Sequence, residues 1–377
     1  MSTEKYKIFQ ILYIFLCFRG RLPWKRGDEM QEFVLRTRLC FADNALNKLK
    51  TLAYQKILLV TDPFFVKNSM AQKIVSLCTQ AQVQIFDQVQ PDPPLKLIAQ
   101  GVAMMQAFGA EAIIALGGGS AIDCAKGILS MCGLEVDLIA IPTTSGTGSE
   151  VTSFAILTHD NIKHPLVEDR LRPTLAILEP ELLSKLPKSL IADAGMDALA
   201  HCIEALAAKN ASVFSDALAM HAAAILLEKL PLSYRGDISV RGEIHCAASM
   251  AGIAFDNAGL GVCHALAHAL GGMFHVAHGK LNAVLLPTVM RHQAVSAYEM
   301  LAKRCGLSGA RGLIFAIERL RRSLELPETL SKAGIRREEL LSRMQELCDA
   351  AAKDPCMNTN PRQSSKEELA QIVREVL

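Results

Sequence analysis

Four of the chain's 10 histidines fall within GLGVCHALAHALGGMFHVAHG, between His264 and His278. His264 and His268 are four residues apart, so a helix places them on one face. Gly271-Gly272 should then break that helix and let His275 or His278 fold back toward the same face. Upstream, GMDALAHCIEA sets Asp197 and His201 at the same spacing. A lone histidine on an apolar helix is usually a satisfied core residue. Two such pairs in apolar helices are harder to explain that way, because buried ionisable groups are costly without a partner. One carboxylate with several imidazoles is a donor set for a divalent first-row metal rather than for calcium or magnesium. Spacing alone does not choose among His268, His275 and His278. His159, His164, His221, His245 and His292 are scattered and read as structural or surface residues.

A second kind of chemistry lies in the glycine and hydroxyl residues. Ala112-Ile113-Ile114-Ala115-Leu116 reads as a strand and runs into Gly117-Gly118-Gly119-Ser120, ahead of a helix from Ala121 to Met131. Bare backbone N–H groups at a helix N-terminus form an anion site suited to a pyrophosphate. The run is not G-x-G-x-x-G, and such turns are often only structural. After the next strand comes Pro142-Thr143-Thr144-Ser145-Gly146-Thr147-Gly148-Ser149, whose small and hydroxyl residues suit ribose and phosphate. Two such loops at the carboxyl ends of neighbouring strands are a stronger signal than either one. Asp62 ends an earlier strand. It could accept bonds from a ribose and repel the extra phosphate of NADP, favouring NAD, although Asp62-Pro63 also suits a plain chain reversal.

These loops require a particular scaffold. Residues 57–61, 83–86, 112–116 and 138–141 read as short buried strands, with helices such as Leu95–Phe108 between them. That alternation implies a parallel sheet covered by helices. From Leu190 the patterns are Ala- and Leu-rich and helical. The expected architecture is an α/β Rossmann-like domain over 30–187 and an all-α, metal-binding domain over 188–377. The stretch from Arg311 to Lys353 is helical in texture without a recognisable motif.

Composition excludes several classes. Of the 377 residues, 50% are hydrophobic and 21% charged, which rules out disorder. A net charge of +2 with basic residues spread along the chain argues against a nucleic-acid partner. The 11 cysteines include no C-x-x-C pair, and Cys124, Cys202 and Cys263 lie in apolar helical runs, so free thiols and a reducing, cytoplasmic compartment are expected. At the N-terminus, Ile8 to Phe18 is apolar but too short to span a bilayer. Arg19, Arg21, Lys25 and Arg26 follow it, which opposes export. Residues 1–29 read as a non-native extension, with translation starting at Met30; a membrane or encapsulation tag is the alternative.

GGGSAIDCAKGI, IPTTSGTGSEVTSFAIL, AGMDALAHCIEA and GLGVCHALAHALGG with its following AHG together resemble the iron-containing (group III) alcohol dehydrogenases, from about Glu32 to Arg362. FVLRTRL, SGTGSEVTS and TNPRQ are most similar to the propanol dehydrogenases of propanediol-utilisation microcompartments, with ethanolamine-utilisation and lactaldehyde-reductase members next. The resemblance implies a dehydroquinate synthase-like fold with the active site in a cleft between its domains. It implies Fe(2+) held by Asp197, His201, His264 and His278, with His268 beside the nicotinamide as a proton relay. It implies NAD contacts from Asp62, Gly117, Gly118, Gly119, Ser120, Asp123, Thr143, Thr144, Thr147 and Lys163, and a substrate pocket lined by Phe154, Phe255 and Cys356. The implied reaction interconverts short primary alcohols and aldehydes, propanal foremost, with ethanol, butanol or lactaldehyde chemistry as the alternative. A homo-oligomer is expected, and microcompartment shell or cargo proteins are the implied partners.

Two other readings carry less. A non-redox enzyme similar to dehydroquinate synthase needs a basic cluster for a phosphorylated acid, and basic residues around Asp197 to His278 are sparse. A scaffold that had lost catalysis would not be expected to keep Asp197, His201, His264 and His278 intact.

Overall fold

In a computed structural model, residues 32–159 and 162–377 are described. Residues 1–29, with their apolar run, lie outside them. Six strands form one parallel sheet: β1 (Arg38–Phe41), β2 (Lys56–Thr61), β3 (Gln82–Phe86), β4 (Ala112–Gly117), β5 (Asp137–Pro142) and β8 (Leu175–Leu178). Their order is β1-β8-β5-β4-β2-β3, and β6 (Phe154–His159) pairs with β7 (Ile162–Val167) in a separate antiparallel hairpin. Helices α1 (Pro63–Lys67), α2 (Met70–Leu77), α3 (Leu95–Phe108) and α4 (Gly119–Met131) connect the strands.

The interiors of the central strands, 57–60, 112–116 and 138–141, are apolar throughout because both sheet faces are covered. Leu58, Val60, Ile113 and Ala115 point to one side and pack with Ile98, Met105 and Ile122. Ile57, Leu59, Ile114 and Leu116 point to the other and pack with Leu46, Leu49 and Ile74. A strand exposes alternate residues to opposite faces, so such runs belong to a buried sheet. From β2 the chain proceeds outward to β3, then returns past β2 to β4. That reversal leaves the carboxyl ends of β2 and β4 side by side at the switch point where α/β sheets hold ligands.

Beyond β8 the described elements are helical. The principal ones are α5 (Lys188–Ala207), α6 (Val213–Tyr234), α7 (Arg241–Ala258), α8 (Val262–Phe274) and α9 (His278–Gln293). They share one apolar core with α10 (Ala297–Arg304), α11 (Gly309–Ser323), α12 (Arg337–Ser342), α13 (Met344–Ala352) and α15 (Lys366–Glu375), while α14 (Cys356–Thr359) is a single short turn. The motif-poor stretch is thereby placed: Leu313, Ile317 and Leu347 are buried in this core. Among the described residues no single helix is long and apolar enough to cross a membrane, and the ten described cysteines are free.

One local expectation fails. Gly271-Gly272 does not break the helix; α8 runs through both and ends at Phe274, followed by His275 in the left-handed conformation at φ 56°. Several apolar contacts along α8 outweigh the modest cost of two glycines, and the αL residue supplies the stop.

Candidate functional site

Asp197 and His201 stand one turn apart on α5, each buried at 4% exposure. Glu204 continues the same face, seven residues from Asp197. His264 lies in the first turn of α8, and His278 opens α9. Ligand atoms of Asp197, His201 and His264 all lie within 4.8 Å of one another. His278 Nε2 comes within 3.4 Å of Asp197 Oδ1. The close approach of α9 depends on Gly279, where a Cβ would overlap the Asp193 carbonyl oxygen. Any side chain there would push His278 away from α5. His275 is exposed and takes no part in the cluster.

The charges are arranged for a cation. Burial pushes His201 down to about 4 and holds His278 well below the usual imidazole range, so both rings are neutral near pH 7. Burial alone would raise Asp197, but the facing imidazoles hold it well below the ordinary carboxylate range. Its partners among the described residues are those imidazoles and Asn282. Burial would lower His264, but Asp197 and Glu204 raise it to about 9; Glu204 Oε2 lies 2.5 Å from its Nδ1, and its Nε2 faces Asp197 Oδ1 at 3.8 Å. His201 is stacked between Phe255, at 4.3 Å between ring centres, and His264, at 4.5 Å. Its Nδ1 is buried without a hydrogen bond. A carboxylate and three imidazoles converging in an apolar core fit a four-coordinate divalent ion, with a carboxylate oriented behind one ligand.

His268 sits one turn beyond His264, with its ring stacked on His278 at 5.1 Å. Its Nδ1 bonds Asp354 Oδ2 at 2.9 Å, and Asp354 Oδ1 accepts from the Cys356 N–H at 2.8 Å. Burial would raise Asp354, yet His268 and the Cys356 amide hold it at about 2. Burial and the Asp354 charge push the half-buried Cys356 thiol well up, so it is an un-ionised wall rather than a nucleophile. Phe154 lies 6.3 Å from Phe255, which covers His201.

The dinucleotide-type loops meet at the carboxyl ends of β2, β4 and β5. Gly118 caps α4 with no side chain, and Cβ atoms at Gly118 and Gly119 would meet Thr144 Oγ1 at 3.3 Å and Thr147 Cγ2 at 2.9 Å. The two loops therefore face each other, tied by Thr143 N–H to the Gly117 carbonyl at 3.0 Å. Asp62 accepts from the Phe64 N–H as the cap of α1, while its second oxygen stays near Gly117. Asp123 braces the second loop from behind, with Oδ1 accepting from Ser149 Oγ at 2.7 Å and Oδ2 from the Ile156 N–H at 3.1 Å. Buried Lys126 joins this brace through Ser149 Oγ and the Phe154 carbonyl. The side chain of Lys163 lies outside the described residues. The second loop reaches the helices directly, since a Cβ at Gly146 would meet Ala194 at 2.9 Å, one turn before Asp197. His245 is a buried structural residue beneath it, paired with Ser145 at 2.9 Å.

Residues 36–180 match the sequence pattern of the iron-containing alcohol dehydrogenases, and residues 191–377 match that family's C-terminal pattern. The chain belongs to the iron-containing alcohol dehydrogenase family. Among family members, the 1-propanol dehydrogenase PduQ of Salmonella typhimurium is 37% identical over 92% of this chain and all of its own. The NADPH-dependent butanol dehydrogenase of Clostridium saccharobutylicum is 34% identical, over 91% of this chain and 97% of its own. An iron-containing alcohol dehydrogenase from Thermococcus thioreducens has the same fold, with TM-score 0.88 and 30% identity over 92% of this chain and 99% of its own. This iron-containing alcohol dehydrogenase is therefore an alcohol oxidoreductase with an α/β parallel-sheet region followed by a helical one.

Three residues of the family member's site escape sequence reasoning. Glu204 follows His201 on the same helical face, and Asn282 follows His278 by four, so helical spacing could have found both. Asp354 lies 86 residues from His268 and leaves no such signal.

Proposed function

We propose that the enzyme interconverts short unbranched primary alcohols and aldehydes with NAD(H), working chiefly as a propanal reductase that regenerates NAD+. The observation that carries this reading is the convergence of Asp197, His201, His264 and His278 from three helices, beside a glycine–threonine loop pair that packs on the same helix. These four residues would hold the divalent iron. When bound, the ion supplies a Lewis acid for the substrate oxygen, and the nicotinamide supplies or accepts hydride.

The protein's own residues do the rest. With a divalent ion bound, one carboxylate and three neutral imidazoles would leave the centre a net positive charge, matched to a single developing oxyanion. Glu204 fixes the tautomer of His264, and Phe255 fixes the plane of His201. Asp354 accepts from Nδ1 of His268 and leaves Nε2 free to exchange the hydroxyl proton with solvent, a role imidazole fills near neutral pH. Gly117, Gly118, Gly119 and Ser120 offer backbone amides to a pyrophosphate, Thr143, Thr144 and Thr147 face them, and Asp62 favours NAD over NADP by charge. Phe154, Phe255 and Cys356 exclude water and suit a short apolar chain over a diol. The similarity to 1-propanol dehydrogenases supports propanal, and extends to work among the cargo of a bacterial microcompartment.

Metal analysis together with NADH oxidation by propanal tests the reading. Metal-bearing, active protein is expected; metal-replete protein inactive on every short aldehyde would overturn it.

A further inference from the structure

One face of α7 is turned toward the α/β region. Ser249, Gly252 and Asp256 follow one another at spacings of three and four along this helix, so they share that face. Ser249 Oγ donates to Glu150 Oε1 at 2.5 Å. A Cβ at Gly252 would meet Gly148 Cα at 2.9 Å, so helix and loop touch backbone to backbone. At the end of the face, Asp256 Oδ1 accepts from the Ser153 N–H and from Ser153 Oγ, each at 2.8 Å. Its Oδ2 accepts from Arg172 Nε at 2.6 Å. Both charged side chains are buried, so Arg172 and Asp256 form an ion pair inside the protein, one partner from each region.

Asp256 immediately follows Phe255, and Ser153 immediately precedes Phe154. Their two bonds therefore join the chain neighbours of two rings that stand 6.3 Å apart, one of them stacked on His201. We propose that Asp256 is a positioning residue for substrate selection: by holding Ser153 against α7, it fixes the gap between Phe154 and Phe255 and so the chain length that the pocket admits. This rests on the reading of those two rings as pocket walls. Arg172 compensates the buried charge of Asp256 and engages Oδ2, which leaves Oδ1 to both Ser153 donors. Bonds from N–H and O–H to a carboxylate are stronger than neutral ones, so Ser153 is held firmly in main chain and side chain alike. On the far side, Lys126 Nζ donates to the Phe154 carbonyl at 2.6 Å. The main chain of Phe154 is thus gripped from α4 and from α7 at once. A wall that cannot shift discriminates by size, whereas one that yields admits longer chains. Neither Asp256, Ser153 nor Arg172 has to touch substrate to have this effect.

The test compares full-length, metal-loaded wild type with Ser153→Ala, Asp256→Ala, Phe154→Ala and the double variant Ser153→Ala with Phe154→Ala. For each, kcat and KM are measured with NADH for propanal and for hexanal on one preparation. The ratio of the two kcat/KM values does not depend on the fraction of protein that is folded or loaded, so a loss of stability alone leaves it unchanged. Asp256→Ala strands Arg172 without its buried partner and is expected to be strongly destabilised. Ser153→Ala, which loses the hydroxyl bond and keeps the backbone one, is therefore the deciding variant. It should raise the hexanal-to-propanal ratio about 2–10-fold, the equivalent of one hydrogen bond. The change should fall mainly in KM, since it alters fit rather than chemistry. In the Phe154→Ala background the same substitution should change the ratio no further, because it acts through that ring. A ratio that Phe154→Ala raises but Ser153→Ala leaves unchanged or lowers, or a further additive rise in the double variant, would overturn this proposal and leave the pocket standing. A ratio unchanged by Phe154→Ala, or a metal-loaded wild type that turns over neither aldehyde, would overturn the pocket reading and the proposal with it.

Discussion

Glu204 on α5 holds the ring of His264 on α8 through a 2.5 Å contact between Oε2 and Nδ1. The same carboxylate accepts from the Cys263 N–H at 2.7 Å, so it also caps the helix whose first turn carries the ligand. Glu204→Gln keeps the size but removes the charge. It is expected to weaken metal binding about 10–100-fold. Competition with a chelator measures this, and an unchanged affinity would show that Glu204 serves the helix end alone.

His264→Ala should empty the centre. Metal content measured after purification is expected to fall to background, with aldehyde reduction lost and dinucleotide binding kept. A variant that retains both metal and rate would mean that the four-residue centre is wrong.

His268→Ala is expected to keep its metal and lose rate in both directions, by about 10²–10⁴-fold if the imidazole moves a proton in the rate-limiting step. Asp354→Asn should reproduce part of that loss by freeing the ring. Full rate in His268→Ala with metal intact would remove the relay.

Sequence legibility followed the length scale of the interactions. Pairs within one helix, such as Asp197 with His201 and His264 with His268, follow from a period of 3.6. The choice of His278 over His275 does not, because it depends on where α8 stops, and an αL conformation at His275 decides that against a glycine pair. Likewise β2, β4 and β5 read clearly as apolar runs buried on both faces. The edge strand β1, with Arg38 and Phe41 exposed, and the four-residue β8 carry too little pattern to separate strand from loop. In the β6–β7 hairpin, which carries Phe154, the polar residues Thr158, His159, Lys163 and His164 interrupt the apolar run that marks a buried strand.

The pocket wall should control chain length. Phe154→Ala opens space beside Phe255, and each methylene so admitted is worth about 1–3 kcal/mol. The ratio of kcat/KM for hexanal to that for propanal should rise roughly tenfold or more. An unchanged ratio would place Phe154 outside the pocket.

Cofactor choice should follow the charge on Asp62. Asp62→Ser retains a side chain able to cap α1 while removing the carboxylate. NADPH should gain on NADH by roughly tenfold in kcat/KM, the scale of one close like-charge contact. Equal selectivity in the variant and the wild type would assign Asp62 to the turn alone.

A last consequence comes from the chain's final motif. Gly259, at φ 90°, and Gly261 join α7 to α8, and Cβ atoms there would strike Thr359 Oγ1 and Asn360 Oδ1. Thr359 Oγ1 donates to the Leu260 carbonyl, and Asn360 Oδ1 accepts from the Val262 N–H and the Gln293 amide. Residues near the C-terminus thus lock the corner that aims His264 at Asp197. A chain lacking Thr359 and Asn360 is expected to keep Asp197, His201, His264 and His278 but to lose the bonds that fix the corner between α7 and α8.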